Sequence, residues 1–192
     1  MILGITGGLG CGKSTVARLF EGRGFRRLDS DQLVRERVLT APEVIAALRE
    51  RYGAGVLDED GAVDRSNLAE RIFSSDTERI WLEELTHPVL FSLWREALGA
   101  DPIGPWAVEV PLLFEKSLEK WFDFIVCVAC APEQQLARLE SRGLNSTFAG
   151  QRISKQLPLA RKIELSDFVL WNDGSPEFLR AQVDHLVHSL PR

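Results

Sequence analysis

MILGITGGLGCGKSTVARLF, residues 1–20, sets a glycine-rich loop, GGLGCGKS at 7–14, between a short apolar run and an amphipathic stretch. Gly7, Gly12, Lys13 and Ser14 complete the pattern G-x-x-x-x-G-K-[ST]. Glycines let successive backbone N–H groups turn inward around phosphate oxygens, a helix starting near Lys13 adds its positive end, and the Lys13 ammonium brings a full charge to the β and γ oxygens. The Ser14 hydroxyl is the expected Mg²⁺ ligand. The pattern carries this meaning only between a strand and a helix. ILGIT at 2–6 reads as a buried strand, and Val16, Leu19 and Phe20 recur at helical spacing until Gly22 and Gly24 end the helix. Cys11 occupies one of the free positions of the loop, where a small side chain suffices. A thiol beside Lys13 at a helix N-terminus gains nucleophilic character, but no resolving partner lies near it in sequence.

A chain of 192 residues supports one sizeable core plus an insertion, and 45% apolar with 27% charged residues is the balance of a soluble globular protein. A formal net charge of −5 argues against a nucleic-acid partner, because affinity for a phosphate backbone is built from surplus Lys and Arg. No stretch approaches the roughly 18 consecutive apolar residues of a membrane span, and no basic segment precedes an apolar one at the N-terminus, so a cytoplasmic protein without a membrane partner is expected. Three cysteines, at 11, 127 and 130, are too few for a disulfide framework. Cys127 and Cys130 form C-x-x-C inside the strand-like FDFIVCVACAP, where an offset of three sends the side chains to opposite faces.

Further strands are expected at FRRL (25–28), WAVEV (106–110), DFIVCVA (123–129) and DFVLW (167–171). Helical periodicity covers 31–39, 42–52, 65–73 and 76–98, an inserted helical block, and then 132–142, 146–156, 158–165 and 176–189. Strands alternating with helices imply a three-layer α/β fold around a parallel sheet of about five strands, with ligands bound outside the carboxyl ends of the strands. The expected organisation is a single domain over 1–192.

A phosphate loop serves switches, motors and small-molecule kinases alike. The chain has no N-K-x-D guanine-reading motif, and no strand ends in the acidic pair of hydrolytic ATPases; WAVEVPLLFE carries Glu109 inside the strand and Glu115 beyond it. Asp29 and Asp31 follow the second strand, at the sheet edge that carries the loop. One carboxylate there can take a proton from an acceptor hydroxyl while the other caps the next helix. Residues 138–162 hold Arg138, Arg142, Arg152, Lys155, Arg161 and Lys162 in a chain that is acidic overall. That local reversal suits a helical lid over about 138–157 that brings cations to a triphosphate.

Taken in order, ITGGLGCGKSTVA, LDSDQLVRE, GAVDRSNLAERIF, LEELTHPV, VEVPLLFE, PEQQLARLESR, QRISKQLP and SDFVLWNDGS resemble the dephospho-CoA kinase family over nearly the whole chain. The resemblance implies a P-loop kinase fold with an acceptor-binding helical insert at about 60–100. It implies transfer of the ATP γ-phosphoryl group to the ribose 3′-hydroxyl of dephospho-CoA, with Mg²⁺ and ATP as co-substrate, by a monomer or weak homo-oligomer. Carried over, it makes Asp31 the base and Lys13 and Arg142 the cations on the transferring group. ATP falls to Gly8, Gly10, Cys11, Gly12, Lys13, Ser14, Thr15, Arg138 and Asn172, and the acceptor to Asp31, His87, Pro111, Leu112, Leu113 and Glu115. A nucleoside monophosphate kinase and a non-catalytic nucleotide switch are the alternatives. The chain departs from the family pattern at Cys11, Ser166 and Trp171, none of which removes a charge the chemistry needs.

Overall fold

β1 (Ile2–Gly7) takes the centre of a five-stranded sheet because both its faces are covered, and its sequence is apolar almost throughout. The computed structural model describes residues 1–73 and 75–191; Ser74, inside the insert expected at about 60–100, and Arg192 lie outside the described residues. Among those described, β2 (Arg26–Asp29), β3 (Trp106–Glu109), β4 (Phe124–Ala129) and β5 (Phe168–Trp171) complete the sheet. The order is β2-β3-β1-β4-β5, every pair parallel, with Ile5 beside Glu109 and Val126. Parallel neighbours require crossovers, and helices supply them. They are α1 (Lys13–Glu21), the helical block between β2 and β3, and α6 (Pro132–Glu140), α7 (Ser146–Ser154) and α8 (Leu159–Leu165); α9 (Pro176–Ser189) follows β5.

Alternation along β1 and β4 divides the core between the two faces of the sheet. Leu3, Ile5, Val126 and Val128 pack with Val16 and Phe20 of α1 and Leu179 and Val183 of α9. α8 covers the opposite face of β1 and β4. The two C-x-x-C thiols part as expected. Cys130 joins the α1 side of the core, whereas Cys127 faces Lys162 and Ser166, and burial raises its thiol to about 11.

The chain forms two compact units, Met1–Asp29 with Ile103–Arg192, and Ser30–Pro102. The second is the helical block: α2 (Ser30–Leu33), α3 (Pro42–Tyr52), α4 (Arg65–Phe73) and α5 (Asp76–Ala100). Pro42 opens α3 at the position where its missing N–H costs nothing. Ser75 caps α5 by accepting from Glu78 N at 3.4 Å. The helix expected at 31–39 starts one residue early at Ser30. It then widens into a π-turn over Val34–Val38, closed by Leu39 N–H on Val34 O at 2.9 Å. α6 stops at Glu140, before the expected 142, because the chain turns back and Leu144 N–H bonds Leu139 O at 3.1 Å; Arg142 therefore sits in the turn. No described helix is long and apolar enough to cross a membrane.

The carboxyl end of β3 carries a buried charge. Glu109, with a side chain only 5% exposed, accepts from Arg27 Nε at 2.7 Å, and Arg27 also donates to Asp29 at 3.0 Å. Asp29 is thus held by an ion pair on its own strand. Arg27→Met leaves Glu109 buried without its cation and should cost about 3 kcal/mol of unfolding free energy in urea titration. A loss below about 0.5 kcal/mol would show that the pair is not needed.

Candidate active site

β1 ends at Gly7 and α1 begins at Lys13, so the loop between them delivers its backbone to a helix N-terminus. Two positions there accept only glycine. Gly7 has φ +136°, and a Cβ would stand 2.1 Å from the Val128 carbonyl oxygen. Gly12 has φ +99°, and a Cβ would meet Asn172 Nδ2 at 2.3 Å. No side chain caps α1 and its first turn holds no acid, which leaves the positive end of the helix to an anion. Lys13 Nζ donates to the carbonyls of Gly7 and Gly8 at 3.2 and 3.0 Å, folded back over the loop it serves. Ser14 is half-buried and Thr15 exposed on the first turn.

Side chains from distant segments clasp the loop. Asn172, directly after β5, donates Nδ2 to Cys11 O at 2.9 Å, and Arg138 of α6 donates to Asn172 O at 2.7 Å. Arg138 Nη1 is buried with no hydrogen-bond partner among the described residues, an orphan donor next to Asn172. Gln135, 7% exposed, donates Nε2 to Leu9 O at 2.5 Å. Sequence reading missed Gln135. Its signal was a polar amide four residues before Leu139, on the buried face of α6. Asp173 accepts from Ala131 N at 2.6 Å and so ties the β5–α9 turn to the β4–α6 turn. Gly8, Gly10, Cys11, Gly12, Lys13, Ser14, Thr15, Arg138 and Asn172 are therefore gathered around one loop.

The segment after β3 is anchored to α8. Pro111 O and Glu115 Oε1 accept from Lys162 Nζ at 2.8 and 2.9 Å, and Glu115 Oε1 also accepts from Leu157 N at 2.8 Å. Leu113 is fully buried, so its side chain supports the loop from beneath, while Pro111 and Leu112 are half-buried. Arg142 is exposed in the turn before α7. Within the helical unit, Asp31 is exposed on the first turn of α2. His87 lies on α5 with its ring 5.4 Å from that of Phe91, which meets Trp94 at 5.6 Å, an aromatic ladder that holds the imidazole by stacking.

Gly12→Ala forces a side chain into a left-handed backbone position and onto Asn172. It should cost about 1–3 kcal/mol of stability and raise the ATP dissociation constant. Calorimetry and titration with a fluorescent ATP analogue check both, and unchanged ATP binding would remove the clasp from the site.

The sequence model of the dephospho-CoA kinase family (CoaE) matches residues 1–177. The dephospho-CoA kinase of Thermosynechococcus vestitus is 44% identical over 192 residues, covering 99% of this chain and 95% of that protein. A solved protein from Thermus thermophilus superposes with a TM-score of 0.88 at 33% identity, over 100% of this chain and 98% of that one. The dephospho-CoA kinase from Campylobacter jejuni shares the fold, with a TM-score of 0.72 at 22% identity over 98% and 96% of the two chains.

Proposed function

The chain belongs to the dephospho-CoA kinase family, and from that premise we propose how its residues divide the reaction. The protein is an ATP-dependent kinase that phosphorylates a hydroxyl group, carrying the γ-phosphoryl group of ATP to the ribose 3′-hydroxyl of dephospho-CoA and yielding coenzyme A and ADP. The observation that carries the division of roles is the clasped phosphate loop, with Lys13 on its carbonyls at a helix N-terminus that no side chain caps.

The Gly8 to Thr15 loop wraps the β- and γ-phosphates, with the Cys11 and Thr15 amides also bonded to Gly8 O and Gly12 O, and Lys13 exchanges its carbonyl partners for phosphate oxygens. Arg138 turns its orphan Nη1 to the nucleotide beside Asn172. Asp31 accepts the proton of the 3′-hydroxyl, and Arg142, on the lid at about 138–157, meets the charge spread over the transferring group. His87, in the helical insert at about 60–100, and Pro111, Leu112, Leu113 and Glu115, after β3, serve the acceptor. Phosphoryl transfer asks little covalent chemistry of a protein, so the rate comes from positioning and charge.

Mg²⁺ fits this donor set. Ser14, half-buried on the first turn of α1, would offer its hydroxyl to an ion that takes most of its ligands from phosphates and water. Bound there, it neutralises phosphate charge. The proposed compartment is the reducing cytosol, in keeping with three free cysteines, and the proposed state is a monomer or weak homo-oligomer.

A coupled ADP-release assay with dephospho-CoA, AMP, CMP and UMP as acceptors tests the acceptor assignment. Activity confined to dephospho-CoA is expected. Activity with a nucleotide and none with dephospho-CoA would refute it, and ATP hydrolysis indifferent to any acceptor would favour a switch.

A further inference from the structure

Lys162, counted in the sequence among the cations of the basic segment, is fully buried and turned to the 111–115 loop. An ammonium survives burial only where its donors are met. Here two of the three find Pro111 O, directly beyond β3, and Glu115 Oε1. The same Glu115 oxygen takes the N–H of Leu157, at the end of the basic segment 138–157, and Thr6 Oγ1 on β1 lies 3.5 Å from Pro111 O. One cation thus gathers a central strand, the 111–115 loop and the root of the lid segment. Glu115 Oε2 is buried without a partner among the described residues, so the carboxylate depends on Oε1 for its compensation.

We propose that Lys162 is a positioning residue that sets the 111–115 loop for the acceptor and, through Glu115, fixes the root of the 138–157 segment. This rests on the reading that 111–115 serves the acceptor. The test compares Lys162→Met and Lys162→Arg with wild type. In Lys162→Met the KM for dephospho-CoA should rise about tenfold or more while the ATP dissociation constant stays within about threefold, with partial recovery in Lys162→Arg. Hydrogen exchange at the Leu157 amide should quicken in Lys162→Met, since its acceptor is no longer held. If Lys162→Met fails to fold, Glu115→Gln is read for the same split. A folded variant with unchanged KM for dephospho-CoA and unchanged Leu157 exchange overturns the proposal. Should wild type prefer another acceptor, the assignment of dephospho-CoA fails, but exchange at Leu157 still decides the anchor.

An independent observation concerns the phosphate loop itself. Cys11 Sγ lies 3.3 Å from Cys130 Sγ, across 119 residues of sequence, with both side chains buried. The sulfurs need approach by little over an ångström to bond, a shift open to a loop flanked by Gly10 and Gly12. We infer that hydrogen peroxide converts this pair into a disulfide that disables the loop. One thiol loses its proton and attacks peroxide, giving a sulfenic acid and water; the second thiol attacks that sulfur and expels another water. Two sulfurs are oxidised and one peroxide becomes two waters. Burial, reinforced by the Cys11 contact, holds the Cys130 thiol up at about 12 and so slows its attack, which leaves the 3.3 Å approach of the two sulfurs as what favours the bond.

Peroxide should lower the intact mass by about 2 Da and yield a peptide linking positions 11 and 130, with activity lost and then restored by dithiothreitol. ATP should slow the change. Cys130→Ala should keep untreated activity and lose the reversible inactivation. An unchanged mass, a bond elsewhere, or equal reversible inactivation of Cys130→Ala overturns the inference.

Discussion

Lys13→Ala should lower kcat by about 10²–10³, or roughly 3–4 kcal/mol in barrier, and weaken ATP binding as well. The size follows from where the charge acts. Lys13 stands at the first position of α1, and its ammonium folds over the Gly7 and Gly8 carbonyls of the loop. On the proposed role it pairs with phosphate oxygens in the ground state and more strongly as charge shifts toward the leaving oxygen. Loss of the side chain therefore affects both binding and turnover. Lys13→Arg should recover little, because a planar guanidinium is bulkier than the ammonium that the Gly7 and Gly8 carbonyls hold. Steady-state kinetics with a fluorescent ATP analogue separates the two effects. A variant that binds ATP weakly but turns over at the wild-type rate when saturated would confine Lys13 to binding.

Asp31→Asn should leave ATP binding nearly intact and reduce turnover at least tenfold, about 1.4 kcal/mol in barrier. General bases contribute about 10²–10⁴ where proton transfer is advanced in the transition state, and less where phosphoryl transfer is loose. Asn keeps the shape and a hydrogen-bond acceptor but cannot hold the proton. Asp31 is exposed on the first turn of α2, and Asp29 is engaged with Arg27; on the proposed reading Asp31 is the base and Asp29 is structural. Asp29→Asn should accordingly reduce stability more than turnover. Wild-type turnover in Asp31→Asn would remove Asp31 from the role of base.

The elements were legible because their causes are local. Strand runs, Pro42 at the start of α3, Ser75 three residues before Glu78, and G-x-x-x-x-G-K-[ST] between strand and helix all act over a few residues. Boundaries slipped where a hydrogen bond outside the apolar period decided them, as at the π-turn of Val34–Val38 and the turn that frees Arg142 from α6. The glycine loop, the basic segment and the ordered motifs of the family were visible for the same reason: each is a short stretch of side chains in a required order.

The sequence by itself therefore determined the phosphate loop, the alternation of strands and helices, and the family. Only the tertiary structure decided what the parallel crossovers bring together. With β1 between β3 and β4, Gln135 and Asn172 reach the loop from beyond β4 and β5, Cys130 comes against Cys11, and Lys162 reaches Glu115 and Pro111. These partners stand 47 to 161 residues apart or carry no periodic signature of their own. Their pairing follows from strand order, which is set by burying both faces of the sheet and not by any local preference of the residues that meet.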